Sequence, residues 1–239
     1  MNFERKMNFK KLAIPAVLAF GLVGQAAAVP FIIDDFSIGQ DSGAVLNGSP
    51  YTGSVIGPAT SIIGGQRDMT VTNIGTGESR VSIDGLTAGE LEVSNTSNAN
   101  AIVEVLWDAA GAGLTDGSGG VDLTVSGVNS FLSMFVTNID LNQSVEFFIS
   151  DSANAGFEST GPQNFVNAGV FQVPLASFTI MDVSDVDAIK MVLSSSAVAW
   201  DGRVDFISTD ERFVPVPAPL ALMGLGILGL VSARRLKKH

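Results

Sequence analysis

A chain of 239 residues with a formal net charge of −11 and no cysteine has room for one ordinary domain plus processing segments, and that domain must hold without disulfides. Its single histidine is the last residue, His239, which excludes Ser-His-Asp catalysis, histidine-ligated zinc and histidine general-base chemistry. Eight of the thirteen basic residues sit in the two ends, so residues 29–214 keep five against twenty-three acidic ones, a formal charge of about −18 that makes nucleic acid and anionic polymers poor partners.

Residues 1–28 have the three-part pattern of a secretory signal peptide. A basic region with Arg5, Lys6, Lys10 and Lys11 precedes an apolar run from Leu12 to Val23, and Ala26-Ala27-Ala28 offers a small-residue cleavage site. Cleavage is expected after Ala28, by signal peptidase after entry into the Sec translocon.

Two-residue alternation dominates the body, 29–213, and no stretch sustains a 3.6-residue period. Short strands are expected at Met69–Thr72, Arg80–Ile83, Leu91–Ser94 and Ala101–Trp107, then at Val121–Val125 and Phe131–Thr137. Val145, Phe147 and Ile149 share one face; Gly169–Val173 follows, then Ile189, Met191 and Leu193, and last Val204 and Phe206. The separators are turn residues: Asp84-Gly85, Asp116-Gly117, Asn154-Ala155-Gly156, Gly161-Pro162 and Asp201-Gly202. Strands of this length and spacing specify an all-β fold, an antiparallel jelly-roll-like sandwich flanked by an N-terminal signal helix and a C-terminal hydrophobic helix. A solenoid would need a constant sequence period, and none is present.

Several groups in the body bear chemistry. Trp107 and Trp200 each close an apolar run, where a tryptophan either plugs the end of a sheet or, with Tyr51, offers an aromatic face to a pyranose. Asp34, Asp35, Asp201 and Asp205 supply hard oxygen ligands for a structural calcium ion if the terminal strands lie together. The alternative is that they are solvated turn and edge residues, and Asp182, Asp185 and Asp187 are equally ambiguous. Arg67 is expected to pair with Asp68 and to order the strand that follows. Glu92, Glu104 and Glu146 lie within strands where two carboxylates could serve a glycosidase, although alternation makes them equally good solvent-facing residues. Sequons at Asn47, Asn95 and Asn142 read as chance occurrences.

At 214–239 the chain reads VPVPAPLALMGLGILGLVSARRLKKH. The uncharged stretch Ala218–Ala233 reaches about 24 Å as a helix, short of a ~30 Å hydrocarbon core. A basic tail with Arg234 and Arg235 would stay cytoplasmic, leaving Pro215 and Pro217 as an extended hinge outside. This order of features resembles the PEP-CTERM sorting signals read by exosortases in Gram-negative bacteria that make extracellular polysaccharide. Val214, Pro215, Val216, Pro217 and Ala218, the Gly-Leu run and the Arg234-Arg235 pair carry the likeness. Val216 stands where the name-giving motif has glutamate, which brings the string closer to the VPLPA-type variant.

The resemblance implies export through an inner-membrane intermediate with transient anchoring. An exosortase-type enzyme would then act, and the protein would end at the cell surface or outside, associated with exopolysaccharide. Ile63-Gly64-Gly65-Gln66-Arg67-Asp68 also resembles a Gly-Gly-x-Arg-Asp segment of proteins bearing such signals, with Asp34-Asp35-Phe36 upstream and Trp200-Asp201-Gly202 downstream as companion elements.

The expected function is that of a non-catalytic surface or matrix protein. The alternatives are a carbohydrate-binding module with one defined glycan and a jelly-roll glycoside hydrolase or lyase. No cofactor is expected beyond the calcium ion considered above.

Overall fold

The structure is a computed structural model that describes residues 30–85, 87–115, 119–154 and 156–210. The leader, the C-terminal signal and the two helices expected there lie outside the described residues. Among the described residues no helix is long and apolar enough to cross a membrane.

Among the described residues fourteen strands form: β1 (Phe31–Asp34), β2 (Gln40–Asp41), β3 (Tyr51–Ile56), β4 (Gln66–Asn73), β5 (Ser79–Ile83), β6 (Leu91–Asn95) and β7 (Ala101–Trp107), then β8 (Phe131–Ile139), β9 (Gln143–Asp151), β10 (Glu158–Ser159), β11 (Gln163–Phe165), β12 (Gly169–Pro174), β13 (Val186–Ser194) and β14 (Gly202–Thr209). They build two seven-stranded sheets. Sheet I has the order β12-β8-β14-β6-β5-β2, and β1 shares the β6 side of β14; sheet II has the order β10-β9-β13-β7-β4-β3, with β11 also on β9. The strand pairs are antiparallel, for example Phe31 with Thr209 and Arg203 with Glu92. From β7 onward the long strands alternate between sheets, which is the crossing pattern of a jelly-roll-like sandwich.

Alternation decides which side chains face the interior. In β7, Ala101, Val103, Val105 and Trp107 are buried, and in β9 Val145, Phe147 and Ile149 are. Leu132, Met134 and Val136 of β8 meet them from sheet I in one continuous core. Each such side chain, fully buried, contributes about 1.5–3 kcal/mol before conformational entropy is subtracted.

One expected strand is absent. At Val121–Val125 the chain turns, and Val125 and Ser126 have φ of 49° and 59°. The Asp122 carboxylate accepts the Thr124 and Ser126 amides and the Thr124 hydroxyl, a local bonding pattern that competes with a sheet ladder. Val121 and Leu123 still enter the core. Gly202 also departs from expectation: it opens β14 and is not a turn residue, and a Cβ there would stand 2.5 Å from the Gln143 amide.

Carboxylates on backbone amides hold the segment 178–185. Glu158 accepts the amides of Thr179, Ile180 and Met181, and Asp151 accepts that of Asp182 at 2.7 Å. Burial alone would raise the Glu158 pKa, but the amides of Met181, Thr179 and Ile180 outweigh it and leave the group below its ordinary value. The Asp182 amide is the largest influence lowering Asp151. The anchoring is therefore complete above the unfolded-chain pKa of about 4 and is lost as pH falls through the lower folded values. Amide signals of residues 179–182 should accordingly shift together only below the ordinary carboxylate range of about 4; a shared transition at or above pH of about 4 would refute the anchoring.

Candidate functional site

Trp107 and Trp200 are both fully buried, each at one end of the sandwich. Neither indole offers a face to a sugar. Trp107 donates its Nε1–H to Asp34 Oδ2 at 2.8 Å, and Trp200 donates to Asn100 Oδ1 at 3.1 Å. Tyr51 starts β3, and its half-buried ring packs against the core from the inner side of the sheet edge, with the hydroxyl over Gly53. Full burial thus corrects the sugar-stacking reading for Trp107 and Trp200, and Tyr51 is half-buried.

The aspartates considered for calcium are not gathered. Asp34 lies opposite Ile207, six positions along β14 from Asp201, a span of about 20 Å. Its carboxylate is consumed by Arg67 Nη1 at 2.9 and 3.0 Å, the Trp107 indole and the Phe36 amide. Burial pushes this carboxyl upward, against the pull of Arg67 and Trp107. Asp35 accepts the Ser37 amide, Asp201 accepts the Asn95 amide, and Asp205 sits where the β14 register shifts between Val204 and Phe206. Among the described residues no group of three or more potential ligands is close enough to hold a metal ion.

Arg67 pairs with Asp34, not with Asp68. Successive strand residues point to opposite faces, so Arg67 enters the core while Asp68 stays on the outer side, accepting from Gln66. Arg67 is fully buried and also donates to Gln40 Oε1 and the Ile38 carbonyl. Gly64 and Gly65 precede it at φ of 69° and 76°, and a Cβ on Gly64 would meet Leu114 at 2.5 Å. The Asp-Asp-Phe and Gly-Gly-x-Arg-Asp elements therefore meet in one buried polar knot at the Trp107 end. Trp200-Asp201-Gly202 builds a second knot at the other end, with Asn95 bonded to the Trp200 carbonyl and Gln143 to the Asp201 carbonyl. Asn95 is buried there, away from any modifying enzyme.

The glutamates divide between the faces. Glu104 and Glu146 lie on the outer side of sheet II, both in register with Val192, roughly 10 Å apart at two strand spacings. Ser159 donates to Glu146, and Lys190 lies 4.3 Å from the centroid of the Phe148 ring nearby. Glu92 lies on the outer side of sheet I, opposite Arg203.

That outer face of sheet I carries a recess. About 680 Å³ in volume, it is lined by Gln40 and Asp41 of β2, Arg80 and Ser82 of β5, and Glu92 and Ser94 of β6, with Asp84 and Gly85 at its end. The volume falls in the usual range of small-molecule sites. Arg80 donates Nε to Asp41 Oδ1 at 3.0 Å and Nη2 to Oδ2. Arg80 is the leading cause holding the Asp41 carboxyl below its ordinary value. Arg203 Nη2 meets Glu92 Oε1 at 3.0 Å. Burial raises the Asp201 pKa, and the neighbouring carboxylates of Asp140 and Glu92 push in the same direction.

Beside this polar half lies an apolar one. Phe135 of β8 faces outward between Val170 and Phe206, whose ring stacks on it with centroids 5.7 Å apart. Phe206 reaches the outer side because the bulge after Val204 shifts the alternation by one residue. Nothing short of the strand register announces this face: its side chains come from six strands, from Asp41 of β2 to Phe206 of β14.

No family model matches the chain, and no curated protein matches it. Among solved structures the chain is similar to a family 11 carbohydrate-binding module from Clostridium thermocellum, solved with a β-1,3-1,4-mixed-linked tetrasaccharide. Identity is 16%, covering 77% of this chain and 96% of that one, with a TM-score of 0.39. It is also similar to the enzymatically active domain of the bacteriophage CBA120 tailspike protein 4, with 14% identity, 59% and 19% coverage and a TM-score of 0.36. A module specific for non-crystalline cellulose matches with 10% identity, 71% and 87% coverage and a TM-score of 0.27.

Proposed function

We propose that the protein is an exported, non-catalytic glycan-binding sandwich of an exopolysaccharide layer, and that its ligand lies on the outer face of sheet I. The observation that carries this reading is the recess itself. Planar carboxylate and guanidinium edges and two serine hydroxyls line it, with the outward phenylalanine of β8 on the same face. Sugars present the same two surfaces, hydroxyl edges that exchange hydrogen bonds and C–H faces that pack on aromatic rings. The chemistry at hand suits binding better than catalysis: Glu92 is engaged with Arg203, Glu104 and Glu146 lie on the opposite sheet, and the only histidine is His239.

A glycan array on the purified mature protein tests the reading. Glu92→Gln and Arg203→Met should each weaken a bound glycan by about tenfold or more, the scale of a hydrogen bond to a charged partner. Full binding by both variants would move the ligand to another face.

Export and sorting rest on the N-terminal leader pattern and on the ordered proline hinge, apolar run and arginines of the C-terminus. An exosortase-type enzyme, the Sec translocon and signal peptidase are the partners this reading requires. Deleting Ala218–His239 should release the protein into the periplasm or medium; unchanged retention at the cell surface would count against sorting.

A further inference from the structure

The charges of the recess define which glycans it accepts, an inference that rests on the glycan reading of the same face. Arg80 stands in it and Arg203 beside it, and each already holds a carboxylate. Arg80 gives Nε and Nη2 to the two oxygens of Asp41, and Arg203 gives Nη2 to Glu92. Asp84 also lines it, and Asp201, with Asp140 beside it, lies close enough to Glu92 to feel its charge. Asp84 accepts the Gly89 amide, Asp140 the Asp201 amide and Asp201 the Asn95 amide, and no cation among the described residues pairs with them. Three carboxylates of the lining, with Asp140 and Asp201 nearby, thus stand against the guanidinium groups of Arg80 and Arg203, within a body that is strongly acidic throughout.

We propose that this face takes an uncharged glycan and turns away chains that bear uronate groups. A sugar carboxylate entering the recess finds its natural partner, a bidentate guanidinium, already occupied at Arg80. To bind, it must displace Asp41 and leave that carboxylate beside the others. A neutral chain displaces nothing, because its hydroxyls donate to carboxylate oxygens and accept from the remaining guanidinium N–H groups. The like-charge crowding already felt by Asp201 supports the same conclusion. The prediction is pointed because many secreted polysaccharides are polyanions, which a matrix protein with a free basic groove would collect indiscriminately.

The test is calorimetric titration of the purified mature protein with two probe sets of equal length: neutral hexasaccharides of glucose, galactose or mannose, and hexasaccharides of mannuronate or galacturonate. At ionic strength of about 0.02 M, where the Debye length exceeds the recess, at least one neutral probe should bind at least about tenfold more tightly than either uronate, and the gap should narrow at about 0.5 M. Asp41→Asn releases Arg80 while leaving the buried core untouched, so it should shift the uronate-to-neutral affinity ratio upward about fivefold or more. Uronate binding equal to or tighter than neutral binding in the wild-type protein overturns this inference and leaves a glycan site standing. An unchanged ratio in Asp41→Asn also overturns it. Failure of every probe to bind overturns the glycan reading itself, and the selectivity with it.

Discussion

Arg67→Met lowers the unfolding free energy by about 3–5 kcal/mol, the cost of stranding one partner of a buried ion pair. The pair is fully enclosed, with both side chains at 0% exposure. Methionine fills much of the arginine's path, so the loss is electrostatic and not a cavity effect. Asp34 would keep the Trp107 indole and the Phe36 amide but would lose the cation that offsets its desolvation. The carbonyl of Ile38 and the Gln40 amide oxygen would lose donors as well. Against a typical total of about 5–15 kcal/mol, such a change leaves the variant partly unfolded near 37 °C. Denaturant titration reads it directly. The double variant Asp34→Leu/Arg67→Met should lose less than the sum of the two single changes, because it removes the stranded charge; strictly additive losses would show that the two groups do not act as a pair.

Trp200→Ala costs about 3–5 kcal/mol, the range for emptying a large aromatic from a core. Its ring is fully buried, and its N–H is the donor to Asn100 Oδ1, whose own amide reaches the Ser195 carbonyl. Trp200→Phe keeps most of the volume and loses the hydrogen bond, a smaller cost of about 1–2 kcal/mol. The contrast with binding is the informative part. Both tryptophans are sealed away from the outer face of sheet I, so a bound glycan should leave the emission maximum where it was, and Trp200→Phe should retain wild-type affinity. Marked quenching or a spectral shift on titration would place the ligand against an indole and contradict the burial described here.

Long strands with one face in the core were legible from alternation alone. The expected run at Ala101–Trp107 coincides with β7, and those at 69–72, 80–83, 91–94 and 131–137 each fall inside an observed strand. What escaped was set by partners distant in sequence. β1 has four residues and β2 two, too few for a period to emerge, and they exist because β14 and β5 are there to receive them. Val121–Val125 has the alternation of a strand, but the Asp122 carboxylate has backbone donors close enough to bend it. Trp107 could be placed inward from its phase with Ala101, Val103 and Val105. Arg67 and Asp68 were joined wrongly because neighbours in sequence stand on opposite faces of a strand. The recess is not legible as a unit: Glu92 reads as a strand residue, yet Asp41, Arg80 and Arg203 meet it only through the register of β2, β5 and β14.

β14 is the last strand described before the C-terminal segment, and it runs through the middle of sheet I with β8 along one edge and β6 and then β1 along the other. It also carries Arg203. For a protein tethered by its C-terminus and holding a polymer on that face, tension would travel lengthwise down this one strand. Its ladder bonds on both sides would then be strained together in shear, the direction in which they share the load, and peeling one bond at a time would be avoided. In that arrangement the last described strand would also be the tendon between anchor and cargo.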